Sequence, residues 1–422
     1  MIDLILGDRR VDPVVRAAAE TALQRLDEHD PRRRAVRMRV LDAFLAEGVA
    51  ESDLAGSTGY GYDDAARDRY ESLLARVFRA ERVLARLSIV SGTHAIVAGL
   101  DALLVPGQLL LCANGAPYDT LRYALCDAPH SLVARGVQYA EVARTLTGET
   151  DLVALSSALR EDPPAVVFVQ RSRGYAARRS LSIAAIEHIV DVCSEHAPGS
   201  IVFVDNCYGE LVEEREPLEV GADIIAGSLI KNVGGGLAPT GGYIAGSSEL
   251  IDRIAARVYA PGIGAGLGPT LGFGRTLMQG LFYAPLVIGE TLRGLDFAAS
   301  LFALLGFEVD PLPGELRTDI VQAIRLGSRE RLIAFARGLQ TALPINARFA
   351  PEPGPVPGYV DPVIMSSGSF ISGSTIDLSC DAPLRAPWNV YLQGGIVAEH
   401  VALGAILAAD AVYSGTSSPM KP

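Results

Sequence analysis

The amino-acid sequence predicts an α/β fold, with a mostly parallel sheet in a large domain and a smaller α+β domain after it. Three observations carry this reading. From Asp63 to about residue 258, apolar runs of strand length alternate with segments of helical period, the pattern of strand–helix–strand units. Two of those runs, Ile201-Val202-Phe203-Val204 and Asp223-Ile224-Ile225-Ala226-Gly227, lead into Asp205 and Ser228-Leu229-Ile230-Lys231. A carboxylate and an amine thus fall on the carboxyl rim of one sheet, where ligands of open α/β sheets bind. Finally, Pro261-Gly262-Ile263-Gly264-Ala265-Gly266-Leu267-Gly268-Pro269 breaks the alternation and marks a domain boundary.

Taken in order, residues 1–62 read as a helical arm. Pro13 suits a first helical turn, with Val14, Ala17, Ala18, Thr21, Ala22 and Leu26 near helical spacing; Val36, Val40, Leu41, Phe44 and Leu45 mark a second helix. The arm ends in Gly56-Ser57-Thr58-Gly59-Tyr60-Gly61-Tyr62, whose glycines permit unusual backbone angles. The sheet domain, 63–262, then opens with a helix over about 64–79 and a strand from Val83 to Val90. A helix from Ala95 to Val105, a strand at 109–112 and a helix from Tyr118 to Leu125 follow. Further strands fall at 165–169, 201–204, 223–226 and 242–245, with helices at about 182–196 and 247–258. In the small domain, 263–422, a helix over about 270–305 precedes strands at 307–309 and 318–325 and a helix at 328–342. A Pro/Gly-rich loop at 351–358, strands at 363–366, 374–379 and 388–393, and a helix from Ile396 complete it.

Composition narrows the function. The chain has 422 residues, too many for one small core, and a formal net charge of −12. That balance argues against nucleic-acid or anionic-membrane partners, both of which need a positive surface. The basic run Arg32, Arg33, Arg34, Arg37, Arg39 follows Asp27, Glu28 and Asp30 and reads as a solvated helix face. Five scattered cysteines without C-x-x-C spacing fit neither a disulfide framework nor a zinc site, and point to a reducing cytoplasm. The start, MIDLILGDRR, lacks the apolar core of a signal peptide, and the apolar stretch 396–412 is interrupted by Glu399, His400 and Asp410. A soluble cytoplasmic protein is expected.

The residue types at the rim suit pyridoxal 5′-phosphate. Lys231 can form a Schiff base, while Asp205 keeps the pyridine nitrogen protonated so that the ring acts as an electron sink. Lys231 needs a depressed pKa to act as a base near neutrality, which burial can provide. The plainer alternative is a loop lysine and a turn aspartate. Ser91-Gly92-Thr93 lies where a strand turns into a helix, an anion site suited to a phosphate or else an ordinary N-cap. Tyr118, after Pro117, can stack on a pyridine ring or simply pack at a helix start. Gln170-Arg171-Ser172-Arg173 ends a strand and can supply donors to cofactor or substrate. Tyr60 and Tyr62 either reach a phosphate or substrate or pack under the arm. Glu210, Glu213 and Glu214 lack histidines at ligand spacing, so no metal is expected. His94 reads as a structural histidine.

Several stretches carry a resemblance: Ser91-Gly92-Thr93-His94-Ala95-Ile96, Gln170-Arg171-Ser172-Arg173-Gly174-Tyr175, Val204-Asp205-Asn206-Cys207-Tyr208-Gly209-Glu210 and Ala226-Gly227-Ser228-Leu229-Ile230-Lys231-Asn232. With Ala260-Pro261-Gly262-Ile263-Gly264, Arg317-Thr318-Asp319-Ile320 and Gln393-Gly394-Gly395, they make the chain, from about Gly59, resemble the aluminium-resistance protein family. That family is similar to methionine γ-lyase and cystathionine β-lyase, within the fold-type I pyridoxal-phosphate enzymes. The resemblance implies the fold-type I transferase fold with a seven-stranded sheet. It implies Lys231 as the covalent attachment point and proton shuttle, Asp205 as the ring-nitrogen partner, and Tyr118 stacked on the ring. Ser91, Gly92, Thr93, Ser172 and Ser228 would hold the cofactor, joined by Tyr60 or Tyr62 from a neighbouring subunit in a homodimer or homotetramer. Some positions depart from the related lyases or, at Leu286, from the aluminium-resistance pattern itself. Ile230 replaces a hydroxyl residue before the lysine, Leu286 a histidine, and Asp377 the arginine that binds a substrate carboxylate. Cys380, Trp388 and Ser366-Ser367 also differ from the family's commonest residues. Arg385, or else Arg317 or Arg171, would then bind the carboxylate of an amino-acid substrate. The expected activity is β- or γ-elimination on a substituted L-amino acid. The alternatives are γ-replacement, transamination, or a non-enzymatic binding role.

Overall fold

The computed structural model describes residues 2–6, 10–23, 32–176 and 178–414. Seven strands form the large sheet: β1 (Arg82–Arg86), β2 (Leu109–Cys112), β3 (Gln138–Glu141), β4 (Val166–Gln170), β5 (Ile201–Asp205), β6 (Ile224–Ser228) and β7 (Gly242–Gly246). Their order is β1-β7-β6-β5-β4-β2-β3. From β3 across to β6 every pair is parallel, whereas β7 runs antiparallel to both β6 and β1. Strands β4 and β6 are buried throughout, as continuous apolar runs covered on both faces require. The helices Gly92–Leu103 and Ser248–Val258 bury Ala95, Ile96, Leu100, Ile251 and Ile254 with Phe168, Phe203, Ile224 and Ile244 of the sheet. Gly99 permits the approach, because a Cβ there would lie 2.7 Å from the Phe203 ring.

The second sheet is antiparallel throughout, in the order β10-β11-β12-β9-β8. It comprises β8 (Glu308–Asp310), β9 (Val321–Arg325), β10 (Val363–Ser367), β11 (Ser379–Pro383) and β12 (Asn389–Gln393). The helices Arg329–Gln340 and Ala398–Ser414 accompany it and meet at Gly338, where an added Cβ would come within 2.6 Å of the Leu407 carbonyl.

The element pattern matches the sequence reading in outline, and the differences include the unread helix Ile2–Leu6 and a first strand that ends at Arg86 rather than Val90. Strand β3 went unread because Gln-Tyr-Ala-Glu is a polar edge strand without an apolar run. Helix Leu152–Glu161 was also missed, although Asp151 caps it through Ala154 N at 2.9 Å and Leu155 and Leu159 are buried. The strand expected at 374–379 begins only at Ser379. The preceding residues instead turn beside Gly394-Gly395, and Gly395 N donates to the Ile376 carbonyl at 2.8 Å.

The domain boundaries also differ. One compact unit is Arg32–Pro285; the other combines the described residues of Met1–Pro31 with those of Leu286–Pro422. The expected arm is thus divided. Its first two helices, Ile2–Leu6 and Pro13–Ala22, pack on the chain's own last helix, and Asp12 N donates to Asp410 Oδ1 at 2.8 Å. Helix Arg32–Glu47 packs on helix Ala65–Phe78. The breaker at 261–269 stays with the large sheet because two buried arginines hold it. Arg86 donates to the carbonyls of Ala265 and Leu267 at 2.9 and 3.1 Å, and Arg67 to that of Gly266 at 3.3 Å. The boundary therefore falls at Pro285, inside helix Gly274–Leu304. No helix among the described residues is long and apolar enough to cross a membrane.

Asp64 ties the Gly56–Tyr62 loop to this assembly. Its carboxylate accepts from Ser57 Oγ at 2.6 Å, Thr270 N at 2.7 Å and Arg67 N at 2.9 Å. Burial alone would raise its pKa, but those donors outweigh burial and hold it well below the usual carboxylate range. The stabilisation is present above the unfolded-state pKa and is lost as pH falls through the depressed folded value. Asp64→Ala is expected to lower the unfolding free energy at pH 7 by about 3 kcal/mol. Denaturant melts should show that deficit shrinking as the pH falls below about 4.

Candidate functional site

The carboxyl ends of β4, β5 and β6 lie side by side. Gln170 pairs in register with Asp205, and Asp205 with Ala226, two residues before Ser228. Helix Gly92–Leu103 starts against this rim. A Cβ on Gly92 would lie 3.0 Å from Cys207 Sγ and 3.3 Å from Ser228 N, so the helix N-terminus, Ser228 and Cys207 form one close cradle. Ser91 caps the helix through His94 N at 3.1 Å. Thr93 Oγ1 lies 2.6 Å from Tyr118 Oη, and Tyr118 N donates to Gln170 Oε1 at 2.9 Å. That polar latch fixes the half-buried Tyr118 ring beside the cradle.

Asp205 is buried, and its Oδ1 accepts from Cys207 N at 3.1 Å. Burial raises its pKa, partly offset by the charge of Lys231 and by the Cys207 and Arg178 groups. Lys231 follows β6 and places Nζ 3.7 Å from the centre of the Tyr208 ring. Desolvation by itself favours the neutral amine, but Cys207, Tyr208 and Tyr118 outweigh it, and the pKa stands above that of an ordinary lysine. The net direction is opposite to the depression expected from burial.

Behind the rim a buried polar network shapes the loop after Asp205. Asn206 Oδ1 accepts from Arg171 at 2.7 Å, and Asn206 Nδ2 donates to Glu216 at 3.0 Å. Asn232, next to Lys231, donates to the carbonyls of Tyr208 and Glu210 at 3.0 and 2.9 Å. Tyr208 is held at φ +72°, a left-handed backbone that costs a non-glycine residue about 1–3 kcal/mol. Tyr208, Asn206 and Asn232 were not singled out from the sequence. Their only signal was adjacency to Asp205 and Lys231.

The other expected residues distribute unevenly. Ser172 is buried, and its carbonyl accepts from Gln170 Nε2 at 2.9 Å and Arg178 at 3.1 Å. Tyr60 and Tyr62 do not pack under an arm: they are 75% and 65% exposed, with ring centres 6.0 Å apart. Arg171 is corrected as a substrate ligand. It has no accessible surface and is held by Asn206 and by Glu213 at 2.9 Å. Arg317 and Arg385 belong to the other compact unit. There Arg317 donates to the Leu295 carbonyl at 3.0 Å, and Arg385 lies 5.9 Å from the Tyr359 ring centre. Among the described residues no group of three His, Cys, Asp or Glu side chains is arranged to hold a metal.

Glu210, in the same loop, is fully buried, with Oε1 accepting from Tyr243 Oη at 2.9 Å and Oε2 without a partner. Burial raises its pKa to about 8, so the folded protein binds a proton that the unfolded chain releases near pH 4.5. Between those values stability falls as pH rises, by up to about 1.4 kcal/mol per pH unit from this group. Glu210→Gln keeps an acceptor for Tyr243 and removes the titration. Urea melts from pH 5 to 8 should therefore show a flatter stability profile for the variant than for the wild type.

Comparison with known proteins identifies the family. The methionine gamma-lyase family model matches residues 11–413. The Bacillus subtilis protein YnbB is 43% identical over 378 residues, 89% of this chain and 90% of its own. A Clostridium acetobutylicum crystal structure superposes with TM-score 0.91 at 41% identity, covering 95% of this chain and 96% of that one. The Clostridium novyi carbon-sulfur lyase involved in aluminum resistance gives TM-score 0.89 at 40% identity, again covering 95% and 96%. With its mixed seven-stranded sheet and the lysine and aspartate on one rim, the chain belongs to the methionine gamma-lyase family of fold-type I pyridoxal-phosphate-dependent enzymes.

Proposed function

We propose that this protein is a pyridoxal-phosphate-dependent carbon–heteroatom lyase that eliminates a sulfur, halide or acyloxy group from Cβ or Cγ of an L-amino acid. The observation that carries the reading is the rim itself. The cradle that a Cβ on Gly92 would crowd, the buried Asp205 and the amine of Lys231 lie together at one set of strand ends. These residues fit the cofactor. Gly92 and Thr93 at a helix N-terminus, with Ser91 and Ser228, offer donors to a phosphate. Tyr118 offers a ring face, and Asp205 an acceptor for a protonated ring nitrogen.

Pyridoxal phosphate, when bound, supplies an electron sink for negative charge at the α-carbon. The chain's residues do the rest. The cradle fixes the phosphate end, and Asp205 holds a proton at the ring nitrogen. Tyr118, latched by Thr93 and Gln170, limits tilt of the ring. Lys231 would be the covalent attachment point and, as the free neutral amine, the base that takes the α-proton at Nζ. Loss of a group from Cγ needs a second proton taken from Cβ, within reach of the same flexible side chain. Arg385 is proposed for the substrate carboxylate, and the exposed Tyr60 and Tyr62 for completing the site of a neighbouring subunit. If the site admits an external nucleophile after departure of the group, the same machinery performs γ-replacement. Added thiol would then raise product formation.

The purified chain should gain a visible absorption band on incubation with pyridoxal phosphate. Borohydride reduction followed by peptide mass analysis should place the cofactor on Lys231. Assays of ammonia and 2-oxo acid over a panel of β- and γ-substituted L-amino acids then identify the leaving group. Lys231→Ala should lose activity by at least about a thousandfold; retained turnover would overturn the mechanism. Gly92→Ala crowds the cradle and should weaken cofactor binding about tenfold, with little change in melting temperature.

A further inference from the structure

We propose that Tyr208 is a positioning residue of this site: the face of its ring is the seat on which the Lys231 ammonium rests whenever the amine is not covalently engaged. The inference rests on the assignment of Lys231 as the reacting amine, and its argument is geometric. Nζ stands 3.7 Å from the ring centre, well inside the roughly 6 Å over which a cation is attracted to an aromatic face. No described carboxylate forms an ion pair with Nζ; Asp205 and Glu210 act on it only from farther away. The Tyr208 side chain, its ring face together with its hydroxyl, is thus the close neighbour that can hold the charge.

The backbone is built to present that ring. Tyr208 is left-handed at φ +72°, a conformation that asparagine or glycine adopts more readily, yet it is fixed from both sides. Before it, Cys207 N is bonded to Asp205 Oδ1 at 3.1 Å. At its own carbonyl, Asn232 Nδ2 donates at 3.0 Å, and Gly209 N bonds back to the Asn206 carbonyl at 3.0 Å. At Gly209 any Cβ would fall 2.5 Å from the Arg171 side chain. A strained residue restrained this thoroughly, and aimed at the reacting amine, matches the pattern of strain held at functional sites. Because Asn232 directly follows Lys231, one amide sets the distance between seat and amine. The seat holds the amine as an ammonium close to the rim. It thereby protects Lys231 from adventitious carbonyl compounds and keeps it next to the cradle for cofactor capture and for return after each turnover.

The test uses the full chain freed of cofactor, with the rate of Lys231 modification by an amine-reactive acylating probe read by peptide mass across pH. The other groups facing Nζ are Asp205, Cys207 and Glu210 from the β5 loop and Tyr118 from the helix start, and all remain in each variant; the Tyr208 hydroxyl, which also bonds the amine, is removed in both. Tyr208→Asn suits the left-handed backbone and removes the ring; Tyr208→Phe keeps the ring and removes the hydroxyl. Loss of the seat lowers the amine's pKa, so more free amine is present at each pH. Tyr208→Asn should therefore label about 3- to 30-fold faster, with the profile midpoint moved down by about 0.5 to 1.5 pH units, and Tyr208→Phe should stay within about threefold of wild type. Wild-type labelling by the asparagine variant overturns the proposal, as does a phenylalanine variant that behaves like the asparagine one. Failure of the wild type to capture pyridoxal phosphate would instead overturn the proposed function and leave the labelling result standing.

Discussion

The site depends on the guanidinium of Arg171. It leaves the end of β4 without any accessible surface and is met by Asn206, Glu213 and Glu216, the last also fully buried. Taking an ion pair out of water is costly, and such a pair adds little stability over an apolar core of the same shape. Its effect here is geometric. Asn206 lies between Asp205 and Cys207, so the interaction that fixes Asn206 also fixes the turn carrying Asp205, Cys207 and Tyr208. Glu216 closes the same loop from its far end through Leu211 N at 2.8 Å. A loop that would otherwise wander is thereby made as rigid as the strands it joins, as a site that must align amine, acid and ring requires.

Charge placement follows the same logic. Asp205, Glu210 and Glu216 are all buried in or beside this loop, and burial pushes each carboxyl upward. Three ionised carboxylates there would repel one another and draw Lys231 away from the aromatic face. Glu210 is instead held at Oε1 by Tyr243, whose ring stacks on Phe78 at 5.0 Å, and its raised pKa keeps it uncharged near neutrality. Asp205 is the carboxyl of the three that stands at the strand end itself. A fixed buried acceptor there is one that a cationic ring nitrogen can join without further reorganisation.

The parts of this architecture that were legible in the sequence share a cause. Parallel strands all end on the same rim, so reading β5 and β6 as apolar runs was enough to bring Asp205 and Lys231 together. Ser91 to Thr93 was legible because a strand that turns into a helix leaves free N–H groups at a known place. What escaped depends on contacts between residues far apart in the chain. The polar edge strand β3 has no apolar period of its own. The breaker at 261–269 looks like a linker until Arg67 and Arg86 are seen to hold it. Arg171 looks like any polar strand end until its carboxylate partners, more than forty residues on, are folded around it. Tyr208 is the extreme case, because no local propensity favours a left-handed tyrosine.

The glycines after Lys231 serve packing. Gly234-Gly235-Gly236 forms a glycine-rich loop just after the lysine. In the structure the run is a packing surface. A Cβ on Gly235, itself at φ +54°, would strike the Gly280 carbonyl at 2.3 Å, and one on Gly280 would strike the Gly234 carbonyl at the same distance. Helix Gly274–Leu304 thus meets the loop backbone to backbone, glycine against glycine, with no side chain between them. A loop held that way has little room to move. The lysine three residues before Gly234 is therefore tethered on one side by Asn232 and on the other by a helix, while its side chain alone keeps the freedom that proton transfer demands. The flexibility that a glycine run suggests has been moved out of the backbone and into the four methylenes of Lys231.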